Sequence, residues 1–169
     1  MKDNVILIGM PGVGKSTIGV LLAKNLGYDF VDSDLVIQRK AGRKLQAMID
    51  DIGPEAFAAF EDKVNAELEA HNAVIATGGS AVYGENAMKH FKDIGLVVYL
   101  RASYETIVDR IPNFETRGIV VPEGKTFRDV YDERVPLYEK YADITVDTEE
   151  GDLWAVGEKI TEAIKSSLN

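Results

Sequence analysis

The chain has no cysteine anywhere in its 169 residues. Disulfide staples and thiolate-held metals are therefore excluded, and an intracellular address is the default expectation. Long hydrophobic runs are also missing. No stretch reaches the roughly 18 apolar residues of a membrane span, and the opening Met1-Lys2-Asp3-Asn4 with its short apolar sequel lacks the pattern of a secretory signal. Basic charge is scarce, with 19 Lys and Arg against 28 Asp and Glu and a formal charge of −9. Such a balance disfavours nucleic acid and anionic membranes as partners, so any anion must be gripped locally. The expectation is a cytoplasmic protein, a monomer, whose partner is a small molecule.

What is present fits one globular unit. Apolar residues make up 46% and charged residues 28% of the chain, and a chain of this length buries roughly 70% of its unfolded surface in a single core. One domain over 1–169 is expected. Val5–Gly9, Ala73–Thr77 and Gly95–Leu100 are continuous apolar runs, the mark of strands buried on both faces. Tyr28–Asp32 and Asp143–Val146 read as shorter strands.

Helical spacing separates them. Ile18, Leu21, Leu22 and Leu26 form one stripe closed by Gly27, and a second helix runs from near Asp34 toward Gly42. Gly53 and Pro54 open a third with Phe57, Phe60, Val64 and Leu68 inward. Ser103 caps a helix with Ile107, Val108 and Ile111, Arg134 falls on a later helix, and Leu153, Val156, Ile160 and Ile164 mark the closing one. Alternation of this kind predicts an α/β fold with a parallel sheet and helices on both faces. The polar stretch 112–125, with Gly118, Pro122 and Gly124, reads as a surface loop with freedom to move.

The most specific local signal is Gly9-Met10-Pro11-Gly12-Val13-Gly14-Lys15-Ser16, a G-x-x-x-x-G-K-[ST] pattern between a buried strand and a helix. Gly12, Val13 and Gly14 can turn backbone amides around a polyphosphate at a helix N-terminus. Lys15 is expected to reach the β and γ phosphates, Ser16 to ligate Mg²⁺ and Thr17 to bond the α-phosphate. A glycine turn with a solvated Lys15 is the bland alternative.

Asp32 and Asp34 close the second strand. If the backbone stays extended, residues two apart point to one side. Asp32 could then hold Mg²⁺ through water while Asp34 orients an acceptor hydroxyl and takes its proton. Helix capping is the competing use. Gly78 and Gly79 after the third strand permit close approach of a ligand, or simply make a tight turn. Arg110, Arg117 and Arg134 are candidate cations for a transferring phosphoryl, against a default of solvated surface. His71 and His90 have no metal-ligand spacing. The acidic face Glu61, Asp62, Glu67, Glu69 is expected to be solvated, unless Glu61 reaches the site.

With the phosphate loop, Asp32-Ser33-Asp34, Gly78-Gly79 and Arg134-Val135-Pro136-Leu137-Tyr138 in that order, the chain resembles the shikimate kinase family over essentially its whole length. The resemblance implies a P-loop NTPase fold, a three-layer sandwich whose five-stranded parallel sheet has the order 2-3-1-4-5, with ATP and Mg²⁺ as cofactors and a lid at about 112–125. It implies that Asp34 contacts acceptor hydroxyls, Asp32 organises Mg²⁺, Arg134 binds the substrate carboxylate, Arg110 lies against adenine and Arg117 approaches the phosphates.

Three positions depart from the family pattern. Phe57 is followed by Ala58 where an arginine makes a second bond to the carboxylate, the three-glycine turn ends in Ser80, and the lid reads Arg117-Gly118-Ile119-Val120. Arg39, Arg43 or Lys44 could supply the missing cation.

The expected activity is transfer of the γ-phosphoryl of ATP to a hydroxyl of a small hydroxylated carboxylate, with shikimate as the first candidate. A kinase for another polyol, sugar acid or hydroxy acid, and a nucleotide-binding module that transfers nothing, are the alternatives. No N-K-x-D guanine-reading segment occurs.

Overall fold

The computed structural model describes residues 2–111, 119 and 121–167. Five strands form one parallel sheet in the order β2-β3-β1-β4-β5. They are β1 (Asn4–Ile8), β2 (Asp29–Asp32), β3 (Ala73–Ala76), β4 (Gly95–Arg101) and β5 (Ile144–Asp147). β1, the middle strand, pairs Val5 with Val74 on one side and with Leu96 on the other. Its five residues are all buried, because helices cover both faces of a parallel sheet.

Helix placement follows from crossover handedness. The chain passes from β1 to β2 in one direction along the sheet, but from β2 to β3, β3 to β4 and β4 to β5 in the other. Right-handed connections therefore place α1 (Lys15–Leu26) on one face and α2 (Ser33–Ala41), α3 (Leu45–Ala66), α4 (Glu85–Ile94), α5 (Tyr104–Arg110) and α6 (Phe127–Tyr141) on the other. α7 (Leu153–Ser167) returns to pack on α1.

Asn4 ties the amino edge of the sheet: its Nδ2 donates to the Ala70 and Ile94 carbonyls at 2.8 and 3.0 Å, and its Oδ1 accepts from the Ala73 amide. A smaller core of Ile37, Met48, Phe57 and Val64 joins α2 to α3.

The expected sheet and its order are present. α4 and the first part of α3 have no counterpart among the sequence expectations. Gly53, with φ 83° and ψ 165°, breaks α3 in two, so Gly53-Pro54 opens the second half of a bent helix. α3 stops at Ala66, although Leu68 beyond it is still buried. Of the expected lid loop, residues 112–118 and 120 lie outside the described residues, and Arg117 with them.

Candidate active site

The loops after β1, β2 and β3 meet at the carboxyl edge of the sheet, where open α/β sheets bind ligands. Together with α3 and α6 they enclose a cavity of about 340 Å³. The phosphate-loop pattern forms its floor. Gly14 enters α1 at φ 101° with no side chain capping the helix, so the first-turn amides and the positive end of the helix dipole are offered to an anion. Val13 is buried beneath the loop, and its carbonyl accepts from Arg110 Nη1 at 3.3 Å.

Lys15 is only 8% exposed, and its Nζ donates to the Gly9 and Met10 carbonyls at 2.7 and 2.9 Å. Burial is the largest influence on this ammonium and lowers its pKa to about 8; Asp34 and Asp32 pull it back up, while Arg134 lowers it further.

The two aspartates do not share an extended strand. β2 ends at Asp32, and Asp34 already lies in the first turn of α2. Asp32 Oδ1 caps that helix, accepting from the Asp34 and Leu35 amides at 2.9 and 3.3 Å. Its Oδ2 accepts from Ser16 Oγ at 3.3 Å. Capping thus takes one oxygen of Asp32 and spares Asp34, whose carboxylate lines the cavity. Burial, then the charge of Asp32, raise the Asp34 pKa to about 6, opposed by Lys15. A carboxyl tuned to this range can exchange a proton near neutrality.

The turn after β3 needs small residues. A Cβ on Gly78 would meet Asp34 Oδ1 at 2.6 Å, and one on Gly79 would meet Pro11 Cδ at 2.7 Å and Arg134 Nη1 at 3.0 Å. These distances place the acid, the phosphate loop and Arg134 around one turn. Arg134 is 3% exposed; one helical turn along α6, Tyr138 donates its hydroxyl to the Gly79 carbonyl at 2.6 Å. The R-x-P-L-Y segment therefore supplies a cation and locks the turn that faces it.

The cavity brings together Gly12, Gly14, Lys15, Ser16, Thr17, Asp34, Gly78, Gly79 and Arg134. Asp32 reaches it through Ser16, whereas Arg110 sits against the back of the phosphate loop. Arg39, Arg43 and Lys44 do not line it; Arg43 is paired with Asp51 at 2.9 Å.

Glu61, expected to be solvated, is 3% exposed and lines the cavity. It accepts from Ser80 Oγ at 2.7 Å, and burial, above all, pushes its pKa up to about 7. The signal was in the spacing: Glu61 falls four residues after Phe57 and three before Val64, on the inward stripe. Among the described residues no group of three or more His, Cys, Asp and Glu gathers as a metal cluster, and no helix is long and apolar enough to cross a membrane.

The family model for shikimate kinase matches residues 11–165. A shikimate kinase from Thiobacillus denitrificans is 39% identical over 87% of this chain and 82% of its own length. Shikimate kinase 1 from Pectobacterium atrosepticum is 35% identical over 98% of each. Among solved structures, shikimate kinase from Acinetobacter baumannii in complex with shikimate superposes with a TM-score of 0.89 at 33% identity, over 99% of this chain and 95% of the other. A sugar kinase from Janibacter, with a TM-score of 0.65 at 15% identity, shares the fold. The sheet order, the phosphate loop and these matches together show that the chain belongs to the shikimate kinase family, whose members are phosphotransferases with a hydroxyl acceptor.

Proposed function

We propose that this chain transfers the γ-phosphoryl of ATP to a ring hydroxyl of shikimate, giving shikimate 3-phosphate and ADP. The observation that carries the reading is the enclosure of Asp34, Lys15 and Arg134 in one cavity, beside the phosphate loop of a family member. Gly12–Thr17 hold the polyphosphate through backbone amides and the α1 dipole. Lys15 exchanges its two loop carbonyls for phosphate oxygens, whose negative charge raises its pKa back and keeps it an ammonium. Arg134 pairs with the acceptor carboxylate. Arg117 is assigned to the transferring phosphoryl, and Arg110 to the adenine, by the resemblance alone.

Ser16 Oγ and Asp32 Oδ2, 3.3 Å apart, are hard oxygen donors and suit Mg²⁺, which takes few protein ligands and keeps several waters. The ion supplies charge neutralisation of the β and γ phosphates when bound. Asp34 orients the acceptor hydroxyl and takes its proton as the new O–P bond forms and the bond to the β-phosphate oxygen breaks, with ADP leaving.

The test is ADP release with ATP and Mg²⁺ against a panel of shikimate, gluconate and uncharged polyols. Release that depends on shikimate supports the reading. Release on another acceptor alone moves the substrate, and nucleotide binding without acceptor-dependent release overturns the transfer.

A further inference from the structure

A second cavity of about 200 Å³ adjoins the first and shares Phe57, Glu61, Ser80 and Arg134 with it. Ala58 of α3, Tyr83, Lys125 and Glu133 also line it. With only a methyl at position 58, space is left between α3 and α6. Water occupies about 30 Å³ per molecule in the liquid, so the chamber admits a carboxylate and the carbon that carries it.

Its charges are arranged to receive an anion. Glu133 is fully engaged: Lys125 Nζ donates to its Oε2 at 2.6 Å and the Tyr83 hydroxyl to its Oε1 at 2.8 Å. Tyr83 in turn has Arg134 Cζ at 5.4 Å from its ring centroid. Glu61, the other acid on the wall, accepts from Ser80 Oγ at 2.7 Å, and burial raises its pKa to about 7, so near neutrality it is only partly ionised. Lys125 and Arg134 thus line one chamber together, beside an acid already paired with Lys125. An ammonium has three N–H donors, so Lys125 can keep Glu133 and still donate to an entering oxygen. The turn that closes with Lys125 N on the Pro122 carbonyl at 3.1 Å fixes the residue at the rim.

We propose that Lys125, on the wall of this chamber, is the second cation for the acid group of the acceptor, beside Arg134. The inference rests on the kinase reading of the adjoining cavity and deepens it. Lys125, rather than Arg39, Arg43 or Lys44, takes the place of the arginine expected after Phe57.

The test compares the unmodified chain, Lys125→Met and Lys125→Arg on shikimate and on shikimate methyl ester, which keeps the hydroxyls and loses the charge. With saturating ATP and Mg²⁺, Lys125→Met raises the KM for the acid about tenfold and leaves the KM for the ester and for ATP within about twofold, and Lys125→Arg restores most of the loss. An unchanged KM for the acid, or an equal rise for acid and ester, overturns this role of Lys125 while turnover itself leaves the kinase reading standing. If no acceptor in the panel raises ADP release, the kinase reading fails separately. Calorimetric binding of shikimate to the nucleotide-loaded chain then decides the role of Lys125: binding about tenfold weaker in Lys125→Met supports it, and unchanged or absent binding overturns it.

Discussion

Asp34→Asn replaces one carboxylate oxygen by an amide, keeps the shape of the first turn of α2, and removes both a base and a negative charge. The base is worth about 10² to 10⁴ in rate, or about 3 to 5 kcal/mol of barrier. The lost charge adds to this, because Asp34 is the largest influence holding the Lys15 pKa up against burial. With the Asp34 carboxyl at about 6, acceptor turnover in the unmodified chain falls as pH drops through about 6, where the base becomes protonated. In the free chain Lys15, at about 8, loses its charge on the alkaline side, and bound phosphate moves that limb upward. Initial rates of ADP formation across the pH range, with nucleotide affinity measured separately by calorimetry, read both limbs. The expected result is a fall in kcat of about a hundredfold or more, disappearance of the acid limb and nearly unchanged ADP binding. A kcat within about threefold of the unmodified chain, or an acid limb that stays in place, would refute the assignment of the base.

Two further substitutions test the frame around the site. Tyr138→Phe removes the donor to the Gly79 carbonyl at a fully buried position; it lowers stability by about 1 to 3 kcal/mol in denaturant unfolding and raises the acceptor KM more than the ATP KM, whereas a change confined to ATP would contradict the role given to that turn. Glu61→Gln tests the buried acid through stability. The folded pKa of Glu61 is raised from 4.5 to about 7, so the stability it contributes is full below its unfolded pKa and is lost as pH rises through about 7, roughly 3 kcal/mol in all. Urea unfolding should show Glu61→Gln gaining about 2 to 3 kcal/mol on the unmodified chain near pH 8 and almost nothing near pH 4; equal differences at both pH values would contradict the burial.

Where the determinants are local, the sequence was readable. Continuous apolar runs announce β1, β3 and β4, and the glycine pattern between β1 and α1 announces the phosphate loop, because each depends on neighbours in the chain. The role of Asp32 was less legible: two residues of spacing cannot tell an extended pair from a cap followed by a helix, and the amides of Asp34 and Leu35 decide it. α4 is legible too, although the sequence expectations lack it: Ala87, Met88 and Phe91 recur at helical spacing and are buried on one side, with charged residues on the other. Glu61 runs against its residue type: a charged side chain reads as solvated, whereas its place on the α3 stripe is inward. That Lys125 and Ala58 line one chamber is invisible in the chain, as it arises only when the segment leading into α6 folds over α3.

The most direct test of the central claim is a ³¹P NMR spectrum of the unmodified chain with ATP, Mg²⁺ and shikimate. The account predicts growth of one phosphomonoester resonance, coupled to the proton on the phosphorylated ring carbon, in step with the resonances of ADP. ADP and inorganic phosphate accumulating without that ester, or no loss of ATP at all, would contradict it.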